Sequence, residues 1–250
     1  MNVLGIDIGG SGIKGAPVDL DRGDLITERF KVLTPKPSTP EAVTDAVRQV
    51  VEHFEWTGPV GITFPGVVVD GVTRSAANVD KSWIGFHAAE TFSKTIDLPV
   101  TMLNDADAAG VAEMAFGAGK GHRGLALMLT FGTGIGSALF VDGTLVPNTE
   151  LGHLELDGYD AEKRASSAVK DNEELSYPEW AERVERYLQH VEMLFSPTRI
   201  IIGGGISRKW DKFIPLLKGI QAEIVPADLR NNAGIVGAAM AAASAQRSAE

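Results

Sequence analysis

A glycine-rich turn between two apolar strands occurs twice in this chain. The first copy starts at Leu4 and reads LGIDIGGSGIKGAPVD, and the second starts at Leu127 and reads LMLTFGTGIGSALFVD. Corresponding positions such as Asp7 and Thr130 are separated by 123 residues throughout. A constant offset of this kind indicates a duplicated half-domain.

The two glycine-rich turns have two interpretations. Gly-Gly between alternating apolar runs is typical of a β-hairpin turn. Glycine also lets the backbone approach a ligand closely, so that a row of N–H groups can hold an anion. The recurrence favours phosphate binding, although neither turn has the P-loop pattern GxxxxGK[ST] or leads into a helix as a dinucleotide fingerprint does. The predicted phosphate-binding residues are Asp7, Gly9, Gly10, Ser11, Gly12, Lys14, Thr130, Gly132, Thr133 and Gly134.

Composition excludes several classes of protein. The chain contains no cysteine, which removes disulfides, thiolate metal sites and cysteine nucleophiles. The first strand begins at about Asn2, and no apolar run is long enough to span a membrane, so we expect a cytoplasmic protein without a membrane partner. The formal net charge of −10 argues against nucleic-acid binding. A polyanionic substrate would therefore need a local cluster of cations.

Strands and helices alternate along the chain, which predicts mixed sheets covered by helices. We expect a first domain at 1–104 plus about 234–250 and a second at 105–233, with a ligand cleft between them. Predicted strands are 2–8, 13–18, 25–32, 60–64, 99–103, 125–130, 136–141, 144–146 and 199–202, with a short hairpin at 67–72. Predicted helices are 40–54, 86–95, 106–116, 177–195 and 232–245.

Two carboxylates stand at the ends of predicted strands. Phosphoryl transfer to an alcohol needs a phosphate cradle, a divalent metal and a carboxylate that takes the hydroxyl proton. Asp105 follows a strand that ends near residue 103, so it is either this base or the N-cap of the following helix. Asp7 is either an organiser of Mg²⁺, acting indirectly, or an acid that merely flanks a turn.

Five motifs in fixed order carry a family resemblance. GIDIGGSGIKG, LNDADAAG, LTFGTGIGSAL, ELGH and IIIGGGIS resemble the ROK sugar kinases, within the hexokinase, actin and Hsp70 superfamily, over about residues 2–240. The resemblance implies two similar α/β domains of ribonuclease-H type. Within the family, NVDKSWIGF, FGAGKGHRG and DAEKRAS are most similar to the polyphosphate glucokinases of actinobacteria.

The resemblance also implies roles for individual residues. Asp105 matches the general base for the sugar 6-hydroxyl, and Asp7 matches the acid that orients the metal and phosphate. Carboxylates and an imidazole suit directional hydrogen bonds to hydroxyls. The implied glucose contacts are Gly66, Asn78, Asn104, Asp105, Glu150, His153 and Glu162.

The chain departs from the family at one segment. Many members carry a CxCGxxGC zinc element between the ELGH histidine and the later glutamate, where this chain has only LELDGYDA at 154–161. His153 with Glu155, Asp157 and Asp160 could attempt a zinc site, but a solvated acidic turn fits these residues better. We therefore predict no zinc.

The phosphoryl donor is decided by other residues. Gly203, Gly204 and Gly205 match the family's adenosine-side turn, whereas a polyphosphate chain needs a row of cations outside the catalytic pocket. Lys120 and Arg123 are the preferred track residues because they precede the second phosphate strand. The alternative for every candidate is a solvated surface charge. The full candidate set is Lys14, Lys81, Lys120, Arg123, Lys163, Arg164, Arg208 and Lys209.

These expectations together describe a phosphotransferase. The chain is expected to phosphorylate glucose at its 6-hydroxyl with polyphosphate, with ATP as a second donor, Mg²⁺ as cofactor, and a homodimer as its assembly. The alternatives are an ATP-dependent glucokinase or another hexose or mannose kinase. A sugar-responsive repressor is a third alternative, although repressors of this family add an N-terminal helix-turn-helix that is not expected here.

Overall fold

The structure, a computed structural model, describes residues 1–76 and 79–249 and contains two compact units. Unit 1 comprises Met1–Ala112 and Asn232–Glu250, and unit 2 comprises Glu113–Asn231. The predicted division after residue 104 falls earlier than this one. A Cβ on Gly237 would overlap the backbone carbonyl of Ala108, so the residues just after 104 pack closely within unit 1.

The bounds of the regular elements are as follows. The strands are β1 Asn2–Gly9, β2 Gly12–Asp19, β3 Asp24–Leu25, β4 Phe30–Val32, β5 Val60–Phe64, β6 Val68–Val69, β7 Val72–Thr73, β8 Val100–Asn104, β9 Leu125–Phe131, β10 Ile135–Val141, β11 Thr144–Val146, β12 Glu155–Leu156, β13 Tyr159–Asp160, β14 Arg199–Gly203 and β15 Glu223–Pro226. The α-helices are α1 Pro40–His53, α2 Ala88–Ile96, α3 Asp105–Phe116, α4 Glu162–Ala165, α5 Ser167–Asn172, α6 Tyr177–Phe195 and α7 Ala233–Ala249.

The main sheet of unit 1 has the order β3-β2-β1-β5-β8, and β4 pairs with β2. Strands β1, β5 and β8 run parallel, whereas β1 and β2 form an antiparallel hairpin. A Cβ on Gly5 or Gly61 would overlap a backbone carbonyl of α7, so these two glycines permit the close packing of that helix on the sheet. Apolar residues of the strands and of helices α1 and α2, including Ile6, Val47 and Phe92, form the buried core of unit 1.

Unit 2 repeats this strand order as β11-β10-β9-β14-β15. Strand β9 pairs antiparallel with β10 and parallel with β14. Its core contains Phe131, Trp180 and Tyr187, whose rings meet edge to face. The shared order confirms two sheet-containing domains of mixed α/β class, as the sequence repeat predicts.

The two hairpins differ by one residue in register. Gly9 pairs with Gly12 in the first hairpin, whereas Phe131 pairs with Ile135 in the second, so the second turn contains one more residue. A one-residue shift sends every side chain of a strand to the other face. The sequence counterpart of Lys14 in the second copy, Ser137, is consequently buried and donates from its Oγ to the Thr149 carbonyl at 2.7 Å.

The predicted strands and helices are present apart from 25–32, but strands β12, β13 and β15 and helices α4 and α5 were not predicted. The predicted strand 25–32 is two short strands, β3 and β4, because the chain leaves β2 after Leu25 and returns to it at Phe30. Helix α6 spans the predicted residues 177–195, and the Ser176–Glu179 capping box is present. Over the described residues, no helix combines the length and apolar character needed to cross a membrane.

Candidate active site

The first glycine turn is a two-residue tip between β1 and β2. Gly10 and Ser11 form the tip, and both are exposed. The hydroxyl of Thr34 donates to the carbonyl of Gly9, which holds the segment after β4 against the turn. No protein acceptor is recorded within residues 1–76 and 79–249 for the backbone N–H of Gly10 or Ser11. These two amides are available to an anion.

Asp7 lies near the carboxyl end of β1. The Thr63 hydroxyl accepts a hydrogen bond from Ile8 N at 3.3 Å and donates to Asp7 Oδ1 at 2.9 Å, which fixes the carboxylate. Burial raises the pKa of Asp7, and the Thr63 hydrogen bond and the charges of Lys14 and Arg29 oppose that rise. A carboxylate in this environment gains from a bound cation.

Asn104 and Asp105 follow the parallel strand β8. Because Asp7 pairs with Thr63 and Thr63 with Leu103, the carboxyl ends of β1, β5 and β8 lie side by side. Neighbouring strands are about 4.8 Å apart, so the end of β8 lies about 10 Å across the sheet from the end of β1.

Asn104 rather than Asp105 caps helix α3. The buried Asn104 Oδ1 accepts from Ala106 N at 2.8 Å and from Asp107 N at 3.0 Å. Its Nδ2 donates to the Gly66 carbonyl at 3.2 Å, so Asn104 also ties Gly66 to this corner of the sheet. The carboxylate of Asp105 accepts from Ala106 N at 2.8 Å. The sequence offered Asp105 as a possible N-cap of this helix, and the structure gives that role to Asn104 instead.

The second glycine turn is held by its own backbone and by one carboxylate. Gly132 N donates to the Gly134 carbonyl at 2.9 Å, and the Gly132 carbonyl accepts from Ala168 N at 3.0 Å. Ile135 N donates to Glu162 Oε2 at 3.1 Å. A Cβ on Gly134 would overlap Glu162 Oε2, so a side chain there would displace this carboxylate. Sequence reasoning missed this contact, since Glu162 was expected to bind only sugar.

Three predicted sugar residues of unit 2 lie together. His153 Nε2 is 3.8 Å from Glu150 Oε2, and His153 Nδ1 is 3.9 Å from Glu162 Oε1. Asp160 Oδ2 also lies 3.9 Å from Nδ1, a neighbour that the sequence suggested only for a zinc site. Burial raises the pKa of Glu150, the nearby His153 opposes this, and Glu162 adds to it. The cluster offers both acceptors and an imidazole to ring hydroxyls.

The segment that replaces the family's zinc element is an ordered hairpin. Strands β12 and β13 pair through Asp157 and Gly158, whose φ values of 55° and 82° form the tight turn. Asp157 accepts from Arg186 Nη2 at 2.9 Å. Within residues 1–76 and 79–249, no group of three or more His, Cys, Asp or Glu could hold a metal ion. The predicted acidic turn is thus a hairpin tip with an ion pair.

The predicted donor residues of unit 2 lie at opposite ends of β9. Gly204 has a φ of 81°, and a Cβ there would overlap the carbonyl of Phe131, so the 203–205 turn lies beside the second glycine turn. Lys120 and Arg123 are exposed and precede the amino end of β9. Seven residues of strand separate that end from the turn at 132–134, which is about 23 Å. Only a long donor could contact both.

Two further predicted phosphate residues, Lys14 and Thr130, lie within paired strands. Lys14 lies directly opposite Asp7 in the β1–β2 register. Thr130 pairs with Gly203 between β9 and β14. Asn78 lies outside the described residues. Each unit therefore contains a glycine turn, with a candidate base in unit 1 and a cluster of carboxylates around His153 in unit 2.

The two sheets have the same strand order, and each carries a glycine turn with acidic side chains near it. These features define a sugar kinase of the hexokinase-like type. The chain belongs to the ROK family, whose profile matches residues 3–175. It is 57% identical over 239 residues to a polyphosphate glucokinase of Mycobacterium tuberculosis, covering 95% of this chain and 90% of the relative.

Two solved structures show the same fold. The inorganic polyphosphate/ATP-glucomannokinase of Arthrobacter sp. strain KM matches with a TM-score of 0.94 and 51% identity, covering 98% of this chain and 99% of that one. A ROK glucokinase of Streptomyces griseus, in complex with glucose and AMPPNP, matches with a TM-score of 0.84 and 26% identity, covering 98% of this chain and all of that one.

Proposed function

We propose that this chain phosphorylates glucose at its 6-hydroxyl with inorganic polyphosphate as donor and ATP as a second donor. The mycobacterial relative is a polyphosphate glucokinase, and the relative from Arthrobacter uses polyphosphate or ATP. The product is glucose 6-phosphate. These relatives support the reaction, and the arrangement of the Asn104–Asp105 corner supports the assignment of the base.

Asp105 is the proposed general base. The observation that carries this assignment is the capping of α3 by Asn104, so the helix does not need Asp105, which accepts from Ala106 N, as its N-cap. A carboxylate at this corner can accept the proton of a sugar hydroxyl as the oxygen attacks phosphorus. Asn104 and Gly66 hold the corner, and Glu150, His153 and Glu162 are the proposed contacts that orient the sugar.

Mg²⁺ is the proposed cofactor, and the residues of unit 1 fit it. Mg²⁺ usually binds one or two carboxylates together with substrate phosphates and retained waters. Asp7 offers a partly buried carboxylate whose raised pKa reflects lost solvation. When bound, the metal would neutralise charge on the donor phosphates. The cradle of Gly10 and Ser11 amides and the ammonium of Lys14 lie in the same unit.

The substitution Asp105→Asn tests the assignment. An amide keeps the size of the side chain but cannot take a proton, so kcat is expected to fall about 10²- to 10⁴-fold. Glucose affinity, measured by calorimetry, is expected to stay near the wild-type value. Asp97→Asn is the matched control, because Asp97 is a left-handed C-cap residue where asparagine is also well tolerated. Near-native kcat in Asp105→Asn contradicts the assignment.

The donor is tested by assaying glucose phosphorylation with polyphosphate and with ATP in parallel. Activity with ATP alone would make the chain an ATP-dependent glucokinase. Mannose in place of glucose tests the breadth of the sugar site. A homodimer and a cytoplasmic location complete the proposal, and sedimentation and cell fractionation test them.

A further inference from the structure

Lys14 and Lys31 face each other on neighbouring strands of unit 1. The register pairs Asp7 with Lys14 across β1 and β2, and Lys14 with Lys31 across β2 and β4. Residues that lie directly opposite in adjacent strands share one face of the sheet. The acid and the two lysines therefore form one row, and sequence reasoning included only the first lysine among the phosphate residues.

The side chain of Lys31 extends towards the first glycine turn. The atoms nearest to the position of a Cβ on Gly12 are Cε, Cδ and Cγ of Lys31, and Cε is the closest. Gly12 lies two residues nearer to the turn than Lys14, the register partner of Lys31. The side chain of Lys31 thus passes over Gly12, in the direction of the Gly10–Ser11 tip. The absence of a side chain at Gly12 leaves the space that this path needs.

The row of Asp7, Lys14 and Lys31 has a net positive charge, which favours binding of an anion. Asp7 offsets one positive charge through its attraction to Lys14, but Lys14 and Lys31 also lie directly opposite each other, and like charges in that position are destabilising. In the described part of the chain, neither ammonium lies within 4.0 Å of a carboxylate oxygen. The two exposed amides of the tip add hydrogen-bond donors beside the two lysines. The two amides of the tip, Lys14 on β2 and Lys31 on β4 are donors on neighbouring strands that can contact more than one phosphate group.

We propose that Lys31, with Lys14, binds the phosphate units of a polyphosphate donor beyond the transferred group and so favours polyphosphate over ATP. This inference rests on the proposed function. ATP has only two phosphates beyond the transferred group before its adenosine begins, so it offers fewer phosphates to the lysines than a polyphosphate chain does. A linear polyphosphate continues past the first turn and gains the Lys31 contact.

The test compares KM for long-chain polyphosphate, tripolyphosphate and ATP in two variants. Lys31→Met keeps an unbranched side chain over Gly12 but removes the charge, and Lys31→Arg keeps the charge. An exposed ion pair contributes up to about 1 kcal/mol, so Lys31→Met is expected to raise KM for long-chain polyphosphate about three- to fivefold. KM for ATP and kcat for both donors are expected to stay unchanged, and Lys31→Arg is expected to behave like the wild type.

Arg22→Ala is the matched control. Arg22 is an exposed cation at the other end of the same hairpin, with only a 3.9 Å contact to Asp24. Removing it changes the net charge equally but leaves the tip intact, so KM is expected not to change. Added salt is expected to reduce the difference between Lys31→Met and the wild type, because exposed charges are screened.

Two results overturn the inference. An unchanged KM for polyphosphate in Lys31→Met excludes the contact, and equal losses with ATP and polyphosphate exclude a role in donor preference. Failure of the proposed function is a separate result, since it appears as a wild-type protein that does not phosphorylate glucose with polyphosphate.

Discussion

The buried environment of Asp7 lowers the stability of the folded protein when the carboxylate is charged. Its pKa is raised chiefly by burial, which means that the charged form is poorly solvated in the folded protein. Asp7→Asn retains an acceptor for the Thr63 hydroxyl but removes the charge. We expect a higher midpoint of thermal unfolding at pH 7 and a loss of turnover of about 10- to 100-fold, as for other losses of metal-orienting groups.

The gain in stability should depend on pH. Because the folded pKa of Asp7 lies above its value of 3.8 in the unfolded chain, the folded wild type binds more protons between these two values. Wild-type stability from this group therefore falls as pH rises through the interval. The advantage of Asp7→Asn should be complete above the folded pKa and should vanish towards pH 3.8. Asp24→Asn, at an exposed acid, is the control. A destabilised Asp7→Asn at pH 7 contradicts this account.

The sequence predicted that Asn104 and Asp105 stand at the end of a strand, but not which of them caps the following helix. It offered Asp105 as the alternative N-cap and gave Asn104 only a sugar contact. The capping oxygen was settled only by the backbone geometry, which aims the Ala106 and Asp107 amides at Asn104. Hydrogen bonds between residues distant in sequence, such as Thr63 with Asp7, have no local sequence signal at all.

At the scale of elements, α4 and the second hairpin are joined by one side chain. Glu162 is the first residue of α4, and its Oε2 accepts from Ile135 N at the start of β10. Its Oε1 faces His153 at 3.9 Å. The same carboxylate therefore links the proposed sugar contacts around His153 to the second glycine turn.

Two substitutions at Glu162 separate these functions. Glu162→Gln keeps an acceptor for Ile135 N, so KM for glucose should rise while KM for the donor changes little. Glu162→Ala removes that acceptor as well, and the unpaired amide should cost about 1–3 kcal/mol, so KM for the donor should rise too. Glu155→Ala, at an exposed residue of β12, is the control. Identical donor KM values in the two variants would show that Glu162 does not hold the turn.

Regular elements were predictable where apolar periodicity was long and bounded by turn residues. The capped helix α6 and the hairpin of β10 and β11 follow from such patterns. The constant offset of 123 residues in the sequence also predicted a duplicated half-domain, and the two units have matching sheet orders. It did not predict the register of the second hairpin, because the number of residues that a turn consumes depends on its backbone conformation. Short α4 and α5 were missed because one helical turn has no periodicity.

At the scale of the whole molecule, the proposed glucose contacts come from both units. Asn104 and Asp105 belong to unit 1, whereas Glu150, His153 and Glu162 belong to unit 2. Each unit has its own buried core, and proteins can open in cooperative parts of this size. Glucose that is held by the proposed contacts of both units should stabilise each of them against opening.

Hydrogen exchange of the core strands can test this linkage. With free glucose at 100 times its dissociation constant, a ligand that binds only the folded form stabilises it by about 2.7 kcal/mol, or about 100-fold in the opening equilibrium. We expect the slowest amides of β1 in unit 1 and of β9 in unit 2 to gain this protection together. The Asp105→Asn variant, which should still bind glucose, is expected to show the same gain in both strands. Protection confined to one unit would place the glucose site within that unit alone.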